Sequence, residues 1–336
     1  MSKKNVVITG GFGFLGTNIA ISQIEQGNNV YIIDNLFKER GIDENKDLLN
    51  KTGAKFIYCD IRNWNDVETY FKNSKVDILI HCAAQVAFKR SVENPRIDFE
   101  INALGAFNLL EAIRLYAPDS IFISTSTNQI YGTMQNLRIE ENEKRYSWLD
   151  DPYKTYGISE TQNLDFLSPY GCSKGAADQY SLDYARIYGL NISVIRLSGI
   201  YGVNQYSYED HGWISFMADM VKNKKEFNRY GNGKQVRDIL YIDDIVKLYS
   251  TVIEKIGIAK GEAFNIGGST TNSVSVLELL DKLETITGNK QKSILNPNRL
   301  GDKLIYISDI RKAEKILEWR PMVSVETGLQ KLLDWI

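Results

Sequence analysis

Asn5-Val6-Val7-Ile8-Thr9-Gly10-Gly11-Phe12-Gly13-Phe14-Leu15-Gly16 decides the fold. A short apolar run with strand character enters glycines spaced G-x-x-G-x-x-G, and a helical pattern follows to about Glu25. Strand, glycine turn and helix in that order build a phosphate cradle. Gly10 allows the tight turn, Gly13 lets backbone approach a pyrophosphate, and Gly16 permits close helix packing, with Phe12, Phe14 and Leu15 completing the loop. The helix N-terminus contributes N–H donors and a positive dipole end. A second strand, Asn29 to Ile33, runs into Asp34 and Asn35, where a carboxylate meets the hydroxyls of an adenine ribose. Such an acid repels a 2′-phosphate, so the expected cofactor is NAD rather than NADP.

Working outward, strand-like runs at Lys55–Tyr58, Val76–His81, Ser120–Ser124 and Asn191–Leu197 alternate with helical stretches, notably Phe99 to Tyr116. That alternation predicts an α/β fold, a Rossmann-type doubly wound parallel sheet with a smaller, discontinuous C-terminal substrate-binding lobe. Ligands then sit at the carboxyl ends of the strands. Those ends carry Asp60-Ile61, expected to flank the adenine, then Ala83-Ala84-Gln85, Thr125-Ser126-Thr127 and Leu197-Ser198-Gly199. The expected NAD-binding domain spans 1–197 with about 236–266, and the substrate-binding lobe about 198–235 with 267–336. Thr133 to Pro169 shows too little periodicity for a regular element; its tyrosines and Trp148 suggest a packed lid.

The chain has 336 residues and a net charge of −2 with acids and bases interspersed, which argues against a nucleic-acid stripe or a membrane patch. No apolar run reaches bilayer length, and Lys3-Lys4 leads straight into the first strand, so a cytoplasmic protein is expected. Cys59, Cys82 and Cys172 are widely spaced and odd in number, favouring reduced thiols. His81 and His211 stand at no zinc spacing, so no metal is expected, and His81 reads as a strand-end packing residue.

Tyr170-Gly171-Cys172-Ser173-Lys174 carries the chemistry. Tyrosine and lysine four apart share one helix face. A phenol of ordinary pKa, about 10, is a poor base at neutral pH, but a neighbouring cation favours the phenolate. Lys174 is the expected cation, with an oxidised nicotinamide acting in the same direction.

Together the glycine turn, Asp34, Asp60-Ile61, Asn102, Thr127, the Tyr-x-x-x-Lys pair and the Arg237 turn resemble the extended short-chain dehydrogenase/reductases acting on nucleotide sugars. The resemblance spans nearly the whole chain. Ser126–Gly132, Leu164–Tyr180 and Gly231–Asp238 are most similar to the members that epimerise CDP-linked 3,6-dideoxyhexoses at C2. This implies tightly held NAD, Tyr170 as the acid and base, Lys174 on the nicotinamide ribose and Thr127 aligning the reacting hydroxyl. Asn102, Thr125 and Leu197 join the implied cofactor contacts. Arg237 and Arg299 become candidates for the diphosphate, since guanidinium forks match phosphate oxygens. Asn128 and Gln129 stand where related 4,6-dehydratases carry Asp-Glu, so water elimination is not expected; both amides, with Gln85, are candidates for sugar contact. A UDP-sugar C4 epimerase and a net oxidoreductase remain open alternatives. Oligomeric state is also open; the resemblance implies a homo-oligomer formed through helices such as Phe99 to Tyr116 and Tyr170 to Tyr188.

Overall fold

The computed structural model describes residues 3–37, 40–299 and 301–336. Five strands follow one another as expected: β1 (Asn5–Thr9), β2 (Asn29–Asp34), β3 (Lys55–Tyr58), β4 (Ile78–His81) and β5 (Ile121–Thr127). β1 pairs in parallel with β2 on one side and β4 on the other, with Thr9 beside Ile33 and His81. The full sheet has seven strands, ordered Ala263–Ile266, Asn191–Leu197, β5, β4, β1, β2, β3. The chain order reverses at β1, so the switch point that receives ligands in such sheets lies between β1 and β4. The β1 strand is apolar on both faces because helices cover both, and Val6, Val7 and Ile8 are fully buried.

Two compact units make up the chain. The first comprises Met1–Thr127, Ser168–Arg196 and Val246–Ala263; the second comprises Asn128–Leu167, Leu197–Ile245 and Phe264–Ile336. This division gives Asn128–Leu167, and residues 236–245 and 264–266, to the second unit, whereas the sequence boundaries kept them with the nucleotide domain. The first unit closes on a core that includes Val7, Leu79, Leu109, Ile113, Phe122 and Ile192.

In the second unit Val236–Tyr241 runs parallel to Gly199–Tyr201 and Ile305–Tyr306 and antiparallel to Ser273–Ser275. The stretch expected to lack regular elements contains a hairpin, Ile139–Glu141 with Tyr146–Trp148, and a helical turn at Tyr153–Tyr156. Its strands are too short for a period to show in sequence, and they are fixed by burial of Trp148, Tyr131 and Tyr306 in the second core.

The helix expected from Phe99 begins earlier, at Pro95, and runs to Tyr116 with a π-helical segment, Glu100–Leu104, in its middle. Such segments are rare and frequent near functional sites. No helix among the described residues is long and apolar enough to cross a membrane.

Candidate active site

The glycine turn has the geometry of a phosphate cradle. Gly10 takes φ +64°, and a Cβ there would meet the Ala83 backbone at 2.6 Å, so only glycine fits this passage between β1 and β4. A Cβ on Gly16 would fall 2.5 Å from the Gly10 carbonyl oxygen. The first helix, Phe14–Glu25, starts from Gly13, which provides no side-chain cap, the arrangement in which a helix N-terminus receives an anion. The Asp34 carboxylate stands at the end of β2 and accepts from the N–H groups of Phe12 at 3.3 Å and Leu36 at 2.9 Å. These features fit a dinucleotide, its pyrophosphate on the Gly10–Gly16 turn and its adenine ribose at Asp34.

Asp60 accepts from Asn35 at 3.0 Å and is gripped by Arg62. Burial pushes its pKa upward, but the Arg62 hydrogen bonds outweigh this and hold it below the ordinary carboxylate range. Ile61 packs beneath Gly105, where a Cβ would come within 2.6 Å of its Cδ1.

Tyr170 and Lys174 lie on the Ser168–Ile187 helix, against the end of β5. Lys174 is buried and donates to the Thr125 carbonyl at 2.5 Å. Burial lowers its pKa to about 8, with Cys82, Asp178 and Asp98 pulling the other way. Tyr170 hydrogen-bonds the Thr127 side chain, so the implied acid–base and aligning residues do meet. Desolvation pushes the phenol up to about 12, opposed by Thr127 and reinforced by Asp98. This differs from the expectation that Lys174 lowers it: in the protein by itself, burial dominates and Thr127 supplies the opposing contact.

Several candidates are committed to internal bonds. Asn102 donates to the Gln85 carbonyl and accepts from the Gln85 N–H, both at 2.9 Å, thereby fixing the loop after β4. The Gln85 amide donates to Ala87 and Asp98 and accepts from the Ala87 N–H, so its side chain braces that loop rather than reaching outward for a sugar. Thr125 Oγ1 bonds the Tyr249 hydroxyl at 2.7 Å, which leaves its carbonyl as the group that meets Lys174. Ala83 and Ala84 are partly exposed at the β4 end, and Leu197 is buried at the end of its strand.

In the second unit Asn128 opens a 3-10 turn, Asn128–Tyr131, that includes Gln129. Asn128 Nδ2 lies 3.3 Å from Ser198 Oγ, and the Ser198 hydroxyl bonds the buried Asp238. Its carbonyl accepts from Lys303 Nζ at 2.7 Å. Arg237 pairs with Asp302 at 2.6 Å, not with adjacent Asp238. Arg299 stacks on Tyr230, 4.0 Å from the ring centroid, and reaches Asp210 at 3.3 Å. Each guanidinium is therefore already oriented by a carboxylate partner of its own.

Lys303 was not visible from sequence. It is 1 % exposed, and burial with nearby Arg237 drives its pKa well below the ordinary lysine value. Nothing in Lys303-Leu304-Ile305 marks it. The Asp178–Arg196 pair was also missed: Arg196 grips Asp178 through two bonds, 2.9 and 2.8 Å, and Asp178 accepts from Ser126 at 2.7 Å. That pair secures the strand residue just before Thr127 to the helix bearing Tyr170.

A family described as GDP-mannose 4,6-dehydratase matches residues 7–332, nearly the whole chain. The chain belongs to this family. Within the GDP-mannose 4,6-dehydratase family and its extended short-chain dehydrogenase/reductase surroundings, it is 43% identical over 336 residues to CDP-paratose 2-epimerase of Salmonella typhi, covering 98% of both chains. It is 33% identical over 332 residues to a putative UDP-glucose 4-epimerase of Methanocaldococcus jannaschii, again covering 98% of both. Among solved structures, UDP-glucose 4-epimerase of Thermotoga maritima with UDP-glucose superposes with a TM-score of 0.85 at 31% identity, covering 98% of each chain. The NAD complex of UDP-glucose 4-epimerase from Thermus thermophilus gives 0.81 at 28% identity, with 98% of each chain covered.

Proposed function

We propose that this protein is an NAD-dependent nucleotide-sugar epimerase that interconverts CDP-paratose and CDP-tyvelose at C2 with no net redox change. The observation that carries the reading is the Thr127–Tyr170 hydrogen bond beside a buried Lys174, on a sheet whose first turn is built for a pyrophosphate. The 43% identity to CDP-paratose 2-epimerase over the full chain supports the substrate.

Gly10, Phe12, Gly13, Phe14, Leu15 and Gly16 would hold the pyrophosphate, Asp34 and Asn35 the adenine ribose, and Lys174 the nicotinamide ribose. When bound, the dinucleotide supplies a reversible two-electron acceptor, which lets the C2 alcohol become a transient ketone and be restored on its other face. Tyr170 takes the hydroxyl proton and returns it to the same oxygen. Thr127 holds that oxygen in line with the phenol, so proton transfer starts from one fixed geometry. With burial pushing its pKa up to about 12, the Tyr170 phenol stays protonated at neutral pH, so the base must be made by binding. The positive charge of the oxidised nicotinamide acts in that direction.

Asn128 and Gln129 decide what happens next. Neither amide ionises in the working range, so neither shuttles the protons that elimination of water requires. The oxidised sugar then returns to an alcohol. Arg237 and Arg299 are the diphosphate ligands in this reading, their carboxylate partners setting the forks before substrate arrives.

The protein acts in the cytoplasm as a homo-oligomer. Phe99 on one helix and Tyr180 and Ile187 on another are more than half exposed, at 56%, 51% and 63%, an apolar surface suited to burial against a second copy.

The test is turnover. Purified protein is incubated with CDP-paratose or CDP-tyvelose, and separately with UDP-glucose, and products are resolved by chromatography and NMR. Interconversion of the CDP pair with deuterium at C2 retained is expected. Turnover of UDP-glucose alone would move the assignment to a C4 epimerase, and accumulation of NADH with product would make the protein a net oxidoreductase.

A further inference from the structure

Between Tyr170 and Lys174 the helix is fastened to a buried acid. Ser173 Oγ donates to Asp98 Oδ2 at 2.5 Å and also lies 3.2 Å from the Tyr170 carbonyl. Asp98 has no exposed surface, and it sits one residue before the end of the Pro95–Phe99 helix, just ahead of the π-helical segment. Its other oxygen accepts from Gln85 Nε2 at 2.9 Å and Asn102 Nδ2 at 3.2 Å. Asn102 also donates towards Ser173 Oγ at 3.2 Å, which closes the network. Every polar contact to this carboxylate comes from a donor, which favours the acceptor-only, ionised form; burial pushes its pKa above the ordinary carboxylate value, opposed by Ser173, Gln85, Lys174 and Asn102.

The charge has an audience. Asp98 acts on Tyr170 together with Thr127, and on Lys174 together with Cys82 and Asp178. Lys174 in turn faces His81 and acts back on Asp98, yet no direct ion pair joins Lys174 and Asp98 among the described residues. A buried carboxylate held only by neutral donors is costly to keep charged, since their hydrogen bonds offset only part of the lost hydration.

We propose that Asp98 is a positioning residue for the Tyr170–Lys174 pair: through Ser173 it fixes the helical turn on which both stand, and it supplies the buried negative charge that both face. The inference rests on the proposed epimerase reading for what Tyr170 does, but its geometry lies wholly within the first unit. The two roles separate by substitution. Ser173→Ala removes the strut and leaves the charge, whereas Asp98→Asn removes the charge and turns an N–H₂ towards at least one donor.

The experiment uses the full chain loaded with NAD. It measures kcat, KM, bound dinucleotide and the pH profile for wild type, Asp98→Asn and Ser173→Ala, with whichever nucleotide sugar the wild type turns over. A second readout is phenolate absorbance of each NAD-loaded protein, taken as a difference against its Tyr170→Phe counterpart, from pH 7 to 12. Because Asp98 raises the phenol pKa, neutralising it must move the Tyr170 titration and the acid limb of the rate profile to lower pH. A fall in kcat of about tenfold or more, with KM and NAD content little changed, is expected for Asp98→Asn. Ser173→Ala should lower kcat without that shift. Wild-type kcat in either variant, or an Asp98→Asn titration that stays put or moves alkaline, overturns the proposal. Should Asp98→Asn not fold, Ser173→Ala decides alone by its kcat. If wild type epimerises no nucleotide sugar, the functional reading falls, while the phenolate titration still judges Asp98.

Discussion

Replacing Gly16 with alanine should loosen the grip of this protein's first turn on NAD. The new Cβ would stand 2.5 Å from the Gly10 carbonyl oxygen and 2.7 Å from Gly11 Cα, against a practical floor of 3.0 Å. Both obstacles are backbone, so no side chain can swing aside, and the first helix must retreat by about half an ångström. Overpacking of this kind costs about 1–3 kcal/mol. If that displacement is felt in the bound state, where the helix N–H groups must meet the pyrophosphate, affinity falls by roughly tenfold to a hundredfold at about 1.4 kcal/mol per decade. Gly257→Ala is the control, since nothing lies within 4 Å of its added Cβ. Calorimetric titration of cofactor-stripped protein with NAD, alongside a thermal melt, reads both variants. Gly16→Ala binding NAD within twofold of the Gly257→Ala control, with the same melting temperature, would refute the claim that close packing at this glycine shapes the cofactor site.

Tyr170→Phe should keep NAD bound and lose about 10²–10⁴ of the turnover rate, the usual worth of a positioned acid–base group; an unimpaired rate would remove the tyrosine from the chemistry. Asp178→Ala should destabilise the fold by about 3–5 kcal/mol in urea, because it strands a guanidinium whose residue, Arg196, is 4% exposed. A loss below about 1 kcal/mol would mean that water reaches the pair. His81, fully enclosed and bonded to Thr9 at 2.8 Å, has its pKa lowered to about 3, first by burial and then by Lys174. Below its unfolded pKa, about 6.5, only the unfolded chain takes up this proton, so stability is full above that pH and drains as pH falls towards 3. The wild-type urea midpoint should fall between pH 6.5 and 4 more steeply than that of His81→Asn; parallel slopes would count against a neutral, buried imidazole.

What could be read from sequence was local. The β1 strand, its glycines and Asp34 fall within one strand–helix–strand stretch, and Tyr170 and Lys174 sit one helical turn apart, so spacing alone located them. The network around Asp98 could not be read that way, since Ser173 meets it across 75 positions of chain and Gln85 across 13. Gln85 illustrates the limit: its place after β4 suggested a ligand, but only tertiary structure shows its amide spent on Ala87 and Asp98. Lys303 stands between Asp302 and the apolar Leu304-Ile305-Tyr306-Ile307, where no periodicity tells a buried ammonium from an ordinary solvated lysine. The direction of the Tyr170 shift was missed for a related reason. A helix wheel shows who is near, whereas desolvation depends on everything else that has packed around the pair.

The π-helical segment at Glu100–Leu104 has a consequence for how this lineage can change. Upstream, Asp98 must point to Ser173; downstream, Leu109, Leu110, Ala112 and Ile113 must point into the core. In an α-helix each residue advances the azimuth by about 100°, so deleting one residue here would restore regular winding and rotate one half of the helix against the other. Point substitutions leave that angular offset intact. Insertions and deletions do not, and the offset makes this short segment intolerant of length change even where its individual side chains are replaceable.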